Sequence, residues 1–167
     1  MARPLRAPSI PVLPLVTTMV GGIHFGVGMG FGNDTRKITM TDIQQQNLAV
    51  ARRYVELYNT DPERFVRECY HTDYKVGAMG LGWYDGIEKF IEVEQAVWRA
   101  APQRRMRLDH MHATDTSVVV EAAVVDASRG DSWELPFCAV LEISGDKIAV
   151  DRTYADFSKW PGLDSVL

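Results

Sequence analysis

The pattern of apolar and polar positions changes character near residue 40. Beyond it, Leu48, Ala51, Val55 and Tyr58 recur at helical spacing, and Val50, Tyr54 and Leu57 widen the stripe. This predicts a first helix from about Asp42 to Asn59, capped by Thr41 or Asp42. Asp61-Pro62-Glu63 supplies a capping carboxylate, a proline at the first helical position and an acid in the first turn. It opens a short second helix with Phe65, Val66 and Cys69 inward, and His71 suits the negative dipole at its end. A short strand is expected from Asp73 to Met79, followed by a glycine-rich crossing around Leu81 and Trp83 at the rim of a cavity. Asp85 and Glu88 form a capping pair for a third helix. Along it Ile87, Phe90, Ile91, Glu94, Val97 and Trp98 keep the period until Pro102 ends it.

From Arg104 the period becomes two. The strands expected are Arg104 to Ala113, Ser117 to Asp126, Ser132 to Ile143 and Lys147 to Asp156, separated by turn residues. The second is dense in valine, as a strand covered on both faces should be. Pro136 marks an edge or a bulge in the third. Helices segregated from a mostly antiparallel sheet give an α+β fold. Three N-terminal helices packed on a strongly curved sheet make a cone-shaped barrel, whose interior is the natural ligand pocket. Phe157 to Leu167 is a tail in which Trp160-Pro161 folds back on the sheet.

Strict alternation places Met106, Leu108, His110 and His112 on one face of the first long strand, and Ala149, Asp151, Thr153 and Ala155 on one face of the last. The opposite face of that last strand, with Ile148, Val150, Arg152 and Tyr154, suits a homodimer contact. Glu121 lies on the valine-rich strand. These four ionisable residues, His110, His112, Glu121 and Asp151, stand in apolar runs, which calls for partners or for a chemical use. A carboxylate in an apolar cone has its pKa raised by desolvation and a nearby imidazole counters the rise, a pairing suited to proton transfer at carbon. Asp151 or Glu121 is then the base, His110 or His112 its partner, and Tyr58 the donor to a developing enolate. Tyr54, Val76, Trp98, Met106 and Trp133 are the expected ligand contacts. The structural alternatives are concrete: Glu121 paired with Arg107 or Arg152, Asp151 at a surface strand end, the histidines at an interface, and the aromatic stripe as plain core.

Composition narrows the classes. The chain has 167 residues, which fits one domain with a real core. A net charge of -4 gives no footprint for nucleic acid, and Arg104, Arg105 and Arg107 read as a solvated strand face. Cys69 and Cys138 stand apart in apolar segments, as buried thiols of a reducing, cytoplasmic setting do; no third ligand at metal spacing accompanies the histidines. Residues 1–39 form an expected irregular extension outside a domain of residues 40–167. Ile10 to Gly32 is nearly as long as a membrane helix, but its glycines, with Pro11 and Pro14, argue against one. Met40 is the expected natural start.

Ala51-Arg52-Arg53-Tyr54, Tyr58-Asn59-Thr60-Asp61, Tyr84-Asp85-Gly86, Gly145-Asp146-Lys147-Ile148 and Arg152-Thr153-Tyr154-Ala155-Asp156 together resemble the SnoaL-like branch of the nuclear transport factor 2-like superfamily. The resemblance spans Asn47 to Trp160. It implies the conical α+β fold and an acid/base enzyme without cofactor, akin to polyketide cyclases and ketosteroid isomerases. The limonene-epoxide hydrolases are relatives whose water-activating set falls here on Val76 and Ala78, Glu121 and Ala123, and Thr153, so that activity is not implied. The expected function is isomerisation, cyclisation or dehydration of a small apolar carbonyl compound. The alternative is a non-catalytic module of the same fold that binds a small ligand or a protein.

Overall fold

The computed structural model describes residues 40–84 and 86–166, with Tyr84 by its backbone alone. The expectations for residues 1–39 and for capping by Asp85 therefore lie outside the described residues. Helix α1 (Asp42–Tyr58) opens with a reciprocal capping box, in which the Gln44 amide donates to Thr41 Oγ1 and the Thr41 amide to Gln44 Oε1, both at 3.1 Å. Two asparagines tie it to the sheet. Asn59 Nδ2 donates to the Met106 carbonyl at 2.9 Å and its Oδ1 accepts from the Met106 amide at 2.7 Å. Asn47 Nδ2 donates to the Thr114 carbonyl at 3.0 Å. Helix α2 (Pro62–Cys69) is capped by Asp61, which accepts from the amides of Glu63 and Arg64. Helix α3 (Ile87–Ala100) starts after Gly86, whose φ of +89° favours glycine, and no side chain among the described residues caps it.

Six strands form one open sheet in the order β2-β1-β6-β5-β4-β3. They are β1 (Tyr70–Ala78), β2 (Gly82–Tyr84), β3 (Arg104–Ala113), β4 (Ser117–Asp126), β5 (Glu134–Ser144) and β6 (Lys147–Tyr154). β1 and β6 run parallel; the other neighbours are antiparallel. The glycine-rich crossing is itself an edge strand, in register Gly77 with Trp83. A side chain at Gly77 would stand 2.9 Å from the Trp83 ring, so glycine lets the indole lie across the strand. β1 grows directly out of α2 at Tyr70, earlier than Asp73. His71 is accordingly an exposed strand residue and not a helix cap.

Two bulges set which residues face inward. On β3, Leu108 opposes Ala122 but His110 opposes Glu121, so Asp109 is an extra residue and the alternation inverts there. On β6, Ile148 opposes Ile143 and Val150 opposes Glu142, which makes Ala149 the extra residue and turns Ile148 into the core. The inner face is Val118, Val120, Ala122 and Val124 of β4 with Leu135, Phe137, Ala139 and Leu141 of β5, all buried. The tail folds back as expected: the Trp160 ring meets Phe137 edge-on at 5.4 Å. Gly162, at φ +82°, sits so close to α3 that a Cβ would stand 2.6 Å from the Val97 carbonyl oxygen. Among the described residues no helix is long and apolar enough to cross a membrane.

Candidate active site

A cavity of about 80 Å³ lies between the helices, the β1–β6 part of the sheet and the tail. Its walls are mostly apolar and aromatic. Phe65 is the hub of the aromatic cluster, with its ring centroid 5.1 Å from Tyr54, 5.5 Å from Tyr58 and Tyr70, and 6.2 Å from Phe90. Phe157, Trp160 and Leu163 close it from the tail. Polar groups enter from few places: Asp151 and Thr153 from β6, Glu94 from α3, and the phenols of α1 and β1.

Asp151 is 2% exposed. Its neighbours across the ladder are Val76 on β1 and Leu141 on β5, both buried, so water is excluded from both sides. Tyr70 Oη donates to Oδ2 at 2.7 Å and Thr153 Oγ1 to Oδ1 at 2.9 Å. Burial pushes the carboxyl up to about 6; the two hydrogen bonds oppose the rise and Glu94 adds to it. Burial also raises Tyr70 and Tyr54 well above the usual phenol value, with the Asp151 charge reinforcing both. Each phenol therefore stays protonated and available as a donor.

The Tyr58 hydroxyl is buried and forms no hydrogen bond of good geometry, although the Trp160 indole lies near enough to favour its ionised form slightly. Burial raises its pKa, while the Arg104 guanidinium, 4.8 Å from the ring centroid, works the other way. Arg104 is itself 1% exposed and donates from Nη2 to Glu94 Oε2 at 2.9 Å.

The residues expected at the site divide sharply. Asp151, Tyr58, Tyr54 and Val76 line the cavity. Met106 is buried in the adjoining core without reaching it. Trp98 lies beside Arg105, whose guanidinium stands 5.5 Å from its ring, and Trp133 beside Arg129 at 5.0 Å; neither lines the cavity. His110, His112 and Glu121 do not meet Asp151. The Asp109 bulge carries both histidines to the outer face, where the His112 and Glu121 side chains are 68% and 52% exposed and 3.8 Å apart. Glu121 pairs with neither candidate arginine: Arg107 bonds Asp109 and Glu134, and Arg152 bonds Glu142. Glu121 and Ala123, the middle-strand positions aligned with the hydrolase residues, thus lie off the inner row, which is Val118, Val120, Ala122 and Val124.

Tyr70 and Glu94 are site residues that sequence reasoning passed over, and Arg104, read as part of a solvated strand face, is instead buried and bonded to Glu94. The signal for Glu94 was present, since a carboxylate falls within the apolar stripe of α3. Tyr70 was hidden by the abrupt change from helix to strand at Cys69.

A family model described as a SnoaL-like domain matches residues 51–150. No curated protein matches the sequence. Among solved structures, a putative SnoaL-like polyketide cyclase from Jannaschia sp. CCS1 is similar with a TM-score of 0.63 and 16% identity, over 72% of this chain and 92% of that one. A nuclear transport factor 2-like protein from Anabaena variabilis ATCC 29413 gives 0.57 and 22%, over 70% and 93%. An LEH-like epoxide hydrolase from M. tuberculosis gives 0.56 and 14%, over 72% and 86%. Identities this low establish a shared fold and leave the chemistry to the site.

Proposed function

The chain belongs to the SnoaL-like domain family, and from that premise we propose that it is an acid/base enzyme needing no cofactor, acting on a small, largely apolar carbonyl compound. The observation that carries this reading is Asp151: a buried carboxyl raised to about 6, set in an apolar cavity and held by two hydroxyl donors. A base tuned near neutrality is ionised often enough to act and binds a proton well enough to take it from carbon.

In the proposed step Asp151 removes a proton from the carbon next to the carbonyl. The C–H electron pair moves into an enolate, whose oxygen accepts a hydrogen bond from the Tyr58 hydroxyl, which donates to no described residue. Protonated Asp151 then returns the proton, to the same carbon or to another one along the enolate. No electrons enter or leave, and isomerisation, cyclisation and dehydration all share this opening.

Proton exchange tests the reading without knowledge of the substrate. Cyclohexanone in deuterated water should lose its α-proton NMR signal faster with the protein than with buffer, and Asp151→Asn should abolish the gain. Exchange that never exceeds buffer across a panel of enolisable ketones, or that survives in Asp151→Asn, overturns it. A second reading, a ligand-binding module, draws on the aromatic cluster around Phe65. It requires saturable binding of such ketones with no exchange.

A further inference from the structure

Glu94 is unexplained by proton transfer at Asp151. It projects from the apolar stripe of α3 into a wall otherwise built from Phe65, Phe90, Val93 and Val97. A carboxylate there is costly unless it is paired. Arg104 pairs it through Oε2 and is held in turn against the Tyr58 ring. Among the described residues Glu94 Oε1 accepts no hydrogen bond, on a side chain only 16% exposed and lining the cavity. A salt bridge needed only to fasten α3 to β3 does not require its carboxylate to line the ligand space.

Resting on the acid/base reading above, we propose that Glu94 is a specificity residue and that the substrate is a hydroxylated carbonyl compound: its carbonyl side faces Asp151 and Tyr58, and a hydroxyl donates to Glu94 Oε1. Arg104 is the positioning residue that fixes the acceptor. A hydroxyl fits this end better than an ammonium group. Arg104 already balances the Glu94 charge, so a ligand cation is drawn to the uncompensated carboxylate of Asp151 instead. An apolar ligand leaves Oε1 desolvated and unpaired, which is how a polar site rejects an analogue lacking its donor.

Three ring ketones of nearly equal shape test this with the full chain: hydroxycyclohexanone, aminocyclohexanone and methylcyclohexanone, each substituted opposite the carbonyl. NMR titration should give the hydroxy-ketone an affinity about tenfold or more above the methyl-ketone, as expected for a hydrogen bond to a charged group. Glu94→Gln keeps the length of the side chain, weakens the charge-assisted bond, and should erase most of that preference, with the methyl-ketone bound at least as well as by the parent because a neutral amide costs less to desolvate. Equal affinities, no detectable binding of the hydroxy-ketone, a Glu94-dependent preference for the amino-ketone, or a preference that survives in Glu94→Gln overturns the proposal. These readouts are separate from proton exchange. Loss of the hydroxyl preference leaves the Asp151 assignment standing, and failure of the Asp151→Asn test leaves the binding preference measurable.

Discussion

The two faces of one sheet carry the same kinds of side chain under opposite physics. The outer face holds His110, His112, Glu121 and the pairs Arg107–Glu134 and Arg152–Glu142, both at 2.6 Å. Exposed pairs of this kind contribute about 0–1 kcal/mol, and their charges are screened by water and salt. The inner face holds Asp151, between Val76 and Leu141 and joined to two hydroxyls. Its ionisation is therefore contested by burial, whereas the outer carboxylates stand in water. Address, more than residue type, decides which of these side chains meets the cavity, and for the histidines of β3 the address is set by one extra residue at Asp109.

Activity should separate the faces most strongly. Asp151→Asn should lower ketone proton exchange by about 10²–10⁴-fold, the usual contribution of a positioned base. Glu121→Gln, His110→Ala and His112→Ala should each remain within about twofold and shift stability by no more than about 0.5 kcal/mol, as surface substitutions do. A large loss in any of the three outer variants would break the comparison.

Stability against pH gives a second separation. Asp151 has a folded pKa of about 6, above its unfolded value, so the native state binds the extra proton. Folding stability contributed by this group is consequently highest below about pH 4 and declines as pH rises to about 6, where the penalty levels off. The shift corresponds to about 3 kcal/mol at neutral pH. Asp151→Asn removes it. The variant should melt higher than the parent at pH 8, and the two should converge near pH 4.

The tail that closes the inner face extends the contrast to backbone. Gly162→Ala meets the Val97 carbonyl at 2.6 Å with φ +82°, so both contact and conformation oppose it. About 2–3 kcal/mol of stability should be lost, together with exclusion of water from the cavity. Gly145→Ala, at φ +65° with nothing within 4 Å of its Cβ, should cost about 1 kcal/mol from conformation alone. Equal costs in thermal melts would mean that the tail does not seal the cavity.

Periodicity was enough to place α1, α2, α3 and the long strands, because each rests on many residues agreeing. The inward direction of Asp151 was legible for the same reason, with Thr153 beside it on a face of small side chains. The histidines were misplaced because a bulge leaves no mark in an alternating pattern: Leu108, Asp109 and His110 read as regular strand whether or not one residue is skipped. The edge strand β2 was obscured by Gly80 and Gly82, which look like a loop until Trp83 is seen lying over Gly77. Tyr70 was unreadable as a partner of Asp151, since nothing local indicates a side chain joining residues 81 positions apart across a parallel pair.

That pair offers the finest test. The Tyr70 hydroxyl stabilises the charged form of Asp151, so removing it should raise the Asp151 pKa further. Phenylalanine preserves the ring contacts with Phe65 at 5.5 Å and Phe90 at 5.3 Å, leaving the wall of the cavity in place. In Tyr70→Phe the acid limb of the pH–rate profile should move upward by about one unit, the size expected for losing a hydrogen bond to a charged group. Turnover at pH 7 should fall about twofold and recover at pH 9, where the base is again ionised. A uniform loss across pH would assign Tyr70 a purely structural part. Tyr154→Phe, a phenol on the outer side of the same strand and 49% exposed, should leave the profile where it was.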